Sequence, residues 1–114
     1  MHEAALAYSI LETVTGQCLE KNFSRILEVR LRIGMGSGVQ SDSLKFAFDI
    51  CKKNTPAHDA EMIIDTVPMG GECNACGRHF EAENHLVFNC PFCRSGSFTI
   101  TQGFETEIVD MEVE

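Results

Sequence analysis

The chain has 114 residues, of which 9 are Lys or Arg and 17 are Asp or Glu, so its formal net charge at pH 7 is −8. Nucleic acids and anionic membranes attract basic surfaces, so this composition is not that of a protein that binds either. The length suits one domain or two very small ones, and 6 cysteines are unusual in so short a chain.

The compartment can be inferred from targeting signals. The sequence contains no apolar run of about 18 residues, so no transmembrane helix is predicted. Its first residues lack a basic segment and include Glu3 and Glu12, unlike a secretory signal. We therefore expect a cytoplasmic protein in a reducing compartment, where paired cysteines more often hold metal than form disulfides.

The first half of the chain alternates between helical and strand patterns. Residues 4–20 have helical spacing, with one apolar stripe made of Ala4, Ala7, Leu11, Val14 and Cys18. Residues 26–33 alternate with a period of two, which predicts a half-buried strand. A glycine-rich turn at 34–38 follows, and Ser41 or Asp42 is expected to cap a second helix. One face of that helix is formed by Leu44, Ala47, Phe48 and Cys51.

The second half predicts two further strands with an insertion between them. Residues 60–67 and 104–114 have strand patterns, the latter with Val109, Met111 and Val113 facing inward. Residues 69–103 form an inserted segment. Segments shorter than roughly 40 residues usually need a bound metal or a disulfide to fold. We predict an α+β fold with a small antiparallel sheet, two helices and an inserted zinc-ribbon or rubredoxin-like lobe. The corresponding domains are 1–68 with 104–114, and 69–103.

Four cysteines in the insertion have metal-ligand spacing. Cys73 and Cys76 form one C-x2-C pair, and Cys90 and Cys93 form another. Two such turns can direct four thiolates at one ion, which makes a closed tetrahedral site typical of structural zinc. Gly77 supplies the positive φ that this turn often requires.

Other chemistries fit these cysteines less well. Both pairs also resemble the iron site of rubredoxin, for which the spacer between them is short. A thioredoxin-type redox pair needs a cysteine at a helix start, and this segment predicts a hairpin. His79 and His85 lie between the pairs, and either is an alternative ligand or an exposed loop histidine.

The amino terminus is a second candidate metal site. The large His2 is expected to protect Met1 from removal, which leaves a free α-amine. That amine, the His2 imidazole and the amide nitrogens of His2 and Glu3 could surround one ion in a plane. This geometry suits Ni(II) or Cu(II) rather than zinc. The alternative is that His2 is a lone histidine in a frayed terminus.

These features together resemble the HypA/HybF family of nickel metallochaperones for [NiFe]-hydrogenase maturation. The resemblance spans essentially the whole chain: Met1-His2-Glu3, residues 29–34, residues 44–49, both cysteine pairs and the final Glu112-Val-Glu114. It implies that His2 binds nickel with the Met1 amine and nitrogens near Glu3. It also implies structural zinc on Cys73, Cys76, Cys90 and Cys93.

The resemblance implies partners as well. They are a maturation GTPase and the hydrogenase large subunit, and some members also serve urease. The chain departs from the family pattern at Ser41-Asp42, where Pro-Glu is common, and at Arg94, where glycine often follows the fourth cysteine. The second departure affects the turn at Cys93, for which Gly96 is a possible compensation.

Three functions compete on this sequence. The first is a non-enzymatic nickel metallochaperone, monomeric or weakly dimeric, with His58, His79 and His85 as possible additional nickel ligands. The second is a zinc-ribbon adaptor that binds proteins without nickel transfer. The third is a zinc enzyme, which needs an open coordination position that four thiolates do not leave. We predict the first.

Overall fold

A computed structural model describes residues 2–82 and 87–114 of the chain. The predicted α+β class with two helices and an additional cysteine-containing lobe is confirmed, and the described strands form two sheets of three strands each. In chain order the elements are α1 Glu3–Glu20, β1 Ile26–Gly34, α2 Ser41–Cys51, β2 Glu61–Val67, β3 Gly70–Cys73, β4 His79–Glu81, β5 Phe98–Gln102 and β6 Thr106–Val113.

The helix α1 buries the stripe that its sequence predicted, with one exchange. Ala7, Leu11, Val14 and Cys18 are buried, Ile10 joins them, and Ala4 is exposed instead. The helix ends where Asn22 adopts a φ of 63° and the Phe23 N–H donates to the Cys18 carbonyl at 3.0 Å. Asparagine tolerates this left-handed conformation, so it is a suitable residue to end a helix.

The N-cap of helix α2 lies one residue before the first of the two predicted cap residues. Gln40 occupies the N-cap position without a side-chain cap hydrogen bond, so the capping role predicted for Ser41 or Asp42 is wrong. Both residues already lie inside the helix, where their side chains are past the capping position. The Glu3 carboxylate instead accepts a hydrogen bond from the Gln40 N–H at 3.0 Å.

The first sheet has the strand order β2-β1-β6. The Ile26 N–H, at the start of β1, donates to the carbonyl of Pro56, which lies a few residues before β2. At the other end of β1, the Met35 N–H donates to Val67, the last residue of β2. The two strands therefore run in the same direction, as a strand–helix–strand connection through α2 requires.

The strand β6 pairs with β1 in the antiparallel sense that the sequence predicted. The Arg25 N–H donates to the Glu114 carbonyl at 3.3 Å, and the Gly34 N–H donates to the Glu105 carbonyl at 2.8 Å. The predicted inward position of Val109 is wrong, because its side chain is 47% exposed. This sheet is therefore mixed in direction.

The second sheet has the order β4-β3-β5, and both of its pairings are antiparallel. Gly71 lies opposite Phe80 on one side and Ile100 on the other. A Cβ atom at Gly71 would lie 2.0 Å from the Thr99 carbonyl oxygen, so only glycine permits this close pairing. This sheet positions Cys73 at the end of β3.

The chain divides into two compact units. The helical unit comprises Met1–Arg32, Val39–Asp65 and Glu107–Glu114, and the cysteine unit comprises Ile33–Gly38 and Thr66–Thr106. The division at 68/69 and 103/104 stays a prediction. In the part of the chain that the structure describes, neither helix has the length and apolarity needed to cross a membrane.

Candidate metal centres

The sulfur atoms of Cys73, Cys76, Cys90 and Cys93 come together in the cysteine unit, all within 4.8 Å of one another. The Cys73 Sγ lies 3.4 Å from the Cys93 Sγ, and the Cys76 Sγ lies 3.8 Å from the Cys90 Sγ. Cys73 and Cys90 are buried, while Cys76 and Cys93 are exposed. Each pair therefore contributes one inner and one outer thiol.

The first knuckle is a turn that begins at Cys73, the last residue of β3. The Gly77 N–H donates to the Cys73 carbonyl at 3.0 Å. The N–H groups of Ala75 and Cys76 point at the Cys73 Sγ, at 3.3 and 3.4 Å. Gly77 completes the turn with a φ of 75°, as its sequence position predicted.

The second knuckle repeats this pattern with a different residue at the left-handed position. The Arg94 N–H donates to the Cys90 carbonyl at 2.8 Å, and the Phe92 N–H points at the Cys90 Sγ at 3.4 Å. Arg94 itself has a φ of 65°. The second knuckle therefore keeps the same turn, with the unfavourable left-handed conformation at Arg94 itself. Gly96 has no positive φ, so the predicted compensation by Gly96 does not occur.

The environment separates the pKa values of the four thiols. The N–H of Cys76, with that of Ala75, lowers the pKa of the Cys73 thiol to about 6 despite its burial. Burial raises the pKa of Cys90, but the N–H groups of Cys93 and Phe92 outweigh it and the net direction is down. The Ser95 N–H lowers the pKa of Cys93, but the neighbouring thiols, Cys73 above all, raise it to about 11.

Four clustered thiols cannot all ionise without a cation, because each thiolate raises the pKa of the next. A divalent ion removes this conflict by binding all four thiolates and releasing their remaining protons. The donor set consists only of sulfur and has no open position. It fits a soft ion in a closed tetrahedral site, such as zinc or iron, and not a Lewis-acid catalyst.

The structure describes two of the three candidate histidines. Within residues 2–82 and 87–114, the cluster that could hold a metal contains the four cysteines and no histidine. His79 is exposed on β4, opposite Glu72 of β3. His58 lies in a loop of the helical unit, where its Nε2 is 3.1 Å from an oxygen of Asp59. His85 lies outside the described residues.

The second candidate centre is the amino terminus, in the helical unit. His2 is exposed and occupies the N-cap of α1, and its carbonyl accepts from the Leu6 N–H at 3.1 Å. The amides before Leu6 precede the first hydrogen bond of the helix, so they have no intrahelical acceptor. Met1 lies outside the described residues.

The Glu3 side chain makes a contact with the start of α2. Its carboxylate accepts the N–H of Gln40, and this hydrogen bond, followed by one from its own N–H, lowers the pKa of the carboxyl. As a candidate nickel ligand, Glu3 was predicted to contribute an amide nitrogen. An acidic residue at a helix start is a weak signal for this contact, since its partner is 37 residues away in sequence.

A contact between the two knuckles was also missed. The Arg78 guanidinium carbon lies 5.1 Å from the centre of the Phe92 ring, within the range of a cation–π interaction. Arg78 follows the first knuckle and Phe92 lies inside the second. The aromatic residue between Cys90 and Cys93 was the available signal.

The sequence of this chain is similar to those of one known protein family. The sequence profile of a family described as hydrogenase/urease nickel incorporation, metallochaperone, HypA, matches residues 1–113. A hydrogenase maturation factor HypA from Chloroflexus aurantiacus is 37% identical over 112 residues, covering 98% of both chains. One from Synechococcus is 33% identical over 113 residues, covering 99% of both.

Two solved structures share the fold. The solution structure of the nickel metallochaperone HypA from Helicobacter pylori has a TM-score of 0.68 at 24% identity, covering 99% of this chain and 97% of that one. Another HypA solution structure has a TM-score of 0.73 at 25% identity, covering 100% of this chain and 97% of that one.

Proposed function

Because the chain belongs to the HypA family of hydrogenase and urease nickel-incorporation metallochaperones, which are not enzymes, we propose that it carries Ni(II) to a nickel enzyme during maturation. A [NiFe]-hydrogenase is the proposed recipient. The proposed partners are a maturation GTPase and the hydrogenase large subunit, with urease maturation proteins as a second group. The proposed state is a monomer or a weak homodimer.

The observation that carries this proposal is the position of His2 at the exposed N-cap of α1. Nickel is the cargo, and its proposed ligands are the Met1 α-amine, the His2 imidazole and the amide nitrogens of His2 and Glu3. Deprotonating amides in the first turn breaks no helix hydrogen bond. The Glu3 carboxylate is engaged by Gln40, so Glu3 contributes its backbone.

The exposure of this site supports transfer by ligand exchange. A recipient's ligands can approach His2 directly, because His2 is exposed among the residues that the structure describes. Planar nitrogen ligation prefers Ni(II) or Cu(II) over the zinc that four thiolates would select, so the two centres need not compete for one ion.

Zn(II) is the proposed resident ion of Cys73, Cys76, Cys90 and Cys93. The support is the convergence of four sulfur atoms within 4.8 Å and the N–H groups that point at two of them. When bound, zinc would supply structural stability rather than reactivity, because a small lobe gains folding free energy from its metal. We also propose that residues 69–103 fold as the zinc domain and 1–68 with 104–114 as the nickel domain.

A calorimetric nickel titration tests the nickel proposal. Two zinc-loaded proteins are compared that differ by one glycine placed before Met1, together with the variant His2→Ala and the matched control His58→Ala. We expect the tight nickel site to be lost in the extended protein and in His2→Ala. It should be retained in His58→Ala, because in the parent protein the His58 imidazole contacts Thr55 and Asp59.

Two results would contradict the proposal. Equal binding by the extended and unextended proteins would mean that the terminal amine is not a ligand and that nickel sits elsewhere. Absence of tight binding in all of them would instead favour the zinc-ribbon adaptor. Zinc content, measured by native mass spectrometry, keeps the two metals separate in either case.

A further inference from the structure

The arginines of this acidic chain fall into two groups. Three of them, on or beside β1, are ion-paired: Arg25 with Glu114, Arg30 with Asp65, and Arg32 with Glu107. The remaining two, Arg78 and Arg94, are exposed. Within residues 2–82 and 87–114, neither has a carboxylate within salt-bridge distance.

Both of these arginines belong to the cysteine knuckles. Arg78 directly follows Gly77, and Arg94 directly follows Cys93. The Phe92 ring centre lies 5.1 Å from the Arg78 guanidinium carbon, and Phe92 precedes Arg94 by two residues in the second knuckle. Phe92 is 56% exposed. We call the exposed residues Arg78, Phe92 and Arg94 the knuckle face.

Arg94 holds its position at a conformational cost. The first knuckle uses glycine at the left-handed position, whereas the second places an arginine there with a φ of 65°. Strain of this kind tends to persist where a side chain has a function. In the described part of the chain the Arg94 side chain makes no ion pair.

We propose that the knuckle face is a docking surface for an extended acidic segment of a partner protein. Planar guanidinium groups bind carboxylates through paired hydrogen bonds. Stacking on the Phe92 ring orients the Arg78 guanidinium before a partner binds. The net charge of −8 does not prevent this, because at physiological salt the field of distant charges is screened beyond about 8 Å.

An acidic peptide fits this surface better than a nucleic acid does. Two arginines can neutralise two carboxylates, whereas a nucleic acid would extend its phosphates beyond them over an acidic protein. The inference goes beyond nickel carriage and does not depend on it, since it involves no group of the amino terminus.

The test is fluorescence anisotropy with the zinc-loaded, nickel-free full chain at about 0.15 M salt. The probe is a fluorescein-labelled oligoglutamate peptide, with oligoglutamine and a single-stranded oligonucleotide as comparisons. The variants are Arg78→Gln, Arg94→Asn and their combination. Asparagine is chosen because Asn22 and Asn54 already adopt φ values of 63° and 64° in this chain. The control is Lys45→Gln, which removes an exposed charge of the helical unit.

We expect each single variant to weaken oligoglutamate binding about threefold and the combination about tenfold, the range of exposed ion pairs. Lys45→Gln should leave the affinity unchanged, and Arg78→Lys with Arg94→Lys should retain part of it. Equal losses with Lys45→Gln, or no loss with the arginine variants, would overturn the proposal. So would arginine-dependent binding of the oligonucleotide as tight as that of the peptide. Zinc content and thermal midpoint are measured for each variant, so that misfolding is recognised.

Discussion

The left-handed residue of the second knuckle provides a quantitative test of how the cysteine unit is held. Arg94 has a φ of 65°, which costs an L-residue about 1–2 kcal/mol relative to an ordinary conformation. Glycine would remove this cost but lose about 0.5–1 kcal/mol through its greater freedom in the unfolded chain. We therefore expect Arg94→Gly to stabilise the cysteine unit by about 0.5–1 kcal/mol.

Gly77 is the matched position in the first knuckle, and its replacement should have the opposite sign. Gly77 has a φ of 75°, and a Cβ atom built there meets nothing within 4 Å. The cost of Gly77→Ala is therefore conformational and free of any clash. We expect a destabilisation of about 0.5–1 kcal/mol.

Competition with a chromophoric chelator measures both effects as zinc affinity, because binding and folding of this unit are linked. A change of about 1 kcal/mol corresponds to roughly fivefold in affinity, tighter for Arg94→Gly and weaker for Gly77→Ala. A shift of both affinities in the same direction would mean that the backbone conformation of the knuckles does not determine their stability.

Three further predictions concern the core, the helix contact and the thiols. Phe48→Ala should lower the free energy of unfolding by about 3–5 kcal/mol in urea titrations, because the Phe48 side chain is fully buried. Glu3→Gln should also lower the stability measured in urea. Because the folded-state pKa of Glu3 is lowered, its contribution is present at neutral pH and disappears as the pH falls through that pKa, where variant and parent should converge. Zinc loading at pH 7 should release protons, but fewer than four per chain, since the pKa of Cys73 is about 6 and that of Cys93 about 11. Calorimetry in buffers of different ionisation enthalpy counts them, and no release would contradict the assigned protonation.

The two proposed metal centres differ in ways that suit their proposed roles. Backbone N–H groups of the two knuckle turns point at the sulfur atoms of Cys73 and Cys90, and an ion held by all four thiolates would be surrounded by its ligands. His2 instead lies exposed at the first turn of a helix. A nickel ion held there would be close to solvent and open to replacement ligands. The first arrangement favours retention and the second favours transfer.

Local patterns were sufficient for most of the secondary structure and for the cysteine cluster. Helix and strand periods depend on which side chains can be buried together, and this information lies in short stretches of sequence. C-x2-C spacing likewise constrains a turn by itself. The amino-terminal motif identified His2 as a candidate, and its placement on the N-cap of α1 agrees with the predicted helix start.

Local spacing and residue identity were enough to predict most of the element types, the four candidate zinc ligands and the family. The N-cap of α2 was not predictable in this way, because the Gln40 N–H donates to Glu3, which lies 37 residues away in sequence. The folded chain was needed to place it. It also decided the direction of β2 and the contact of Arg78 with Phe92. These features depend on which groups meet across long separations in sequence, and no local pattern encodes such pairings.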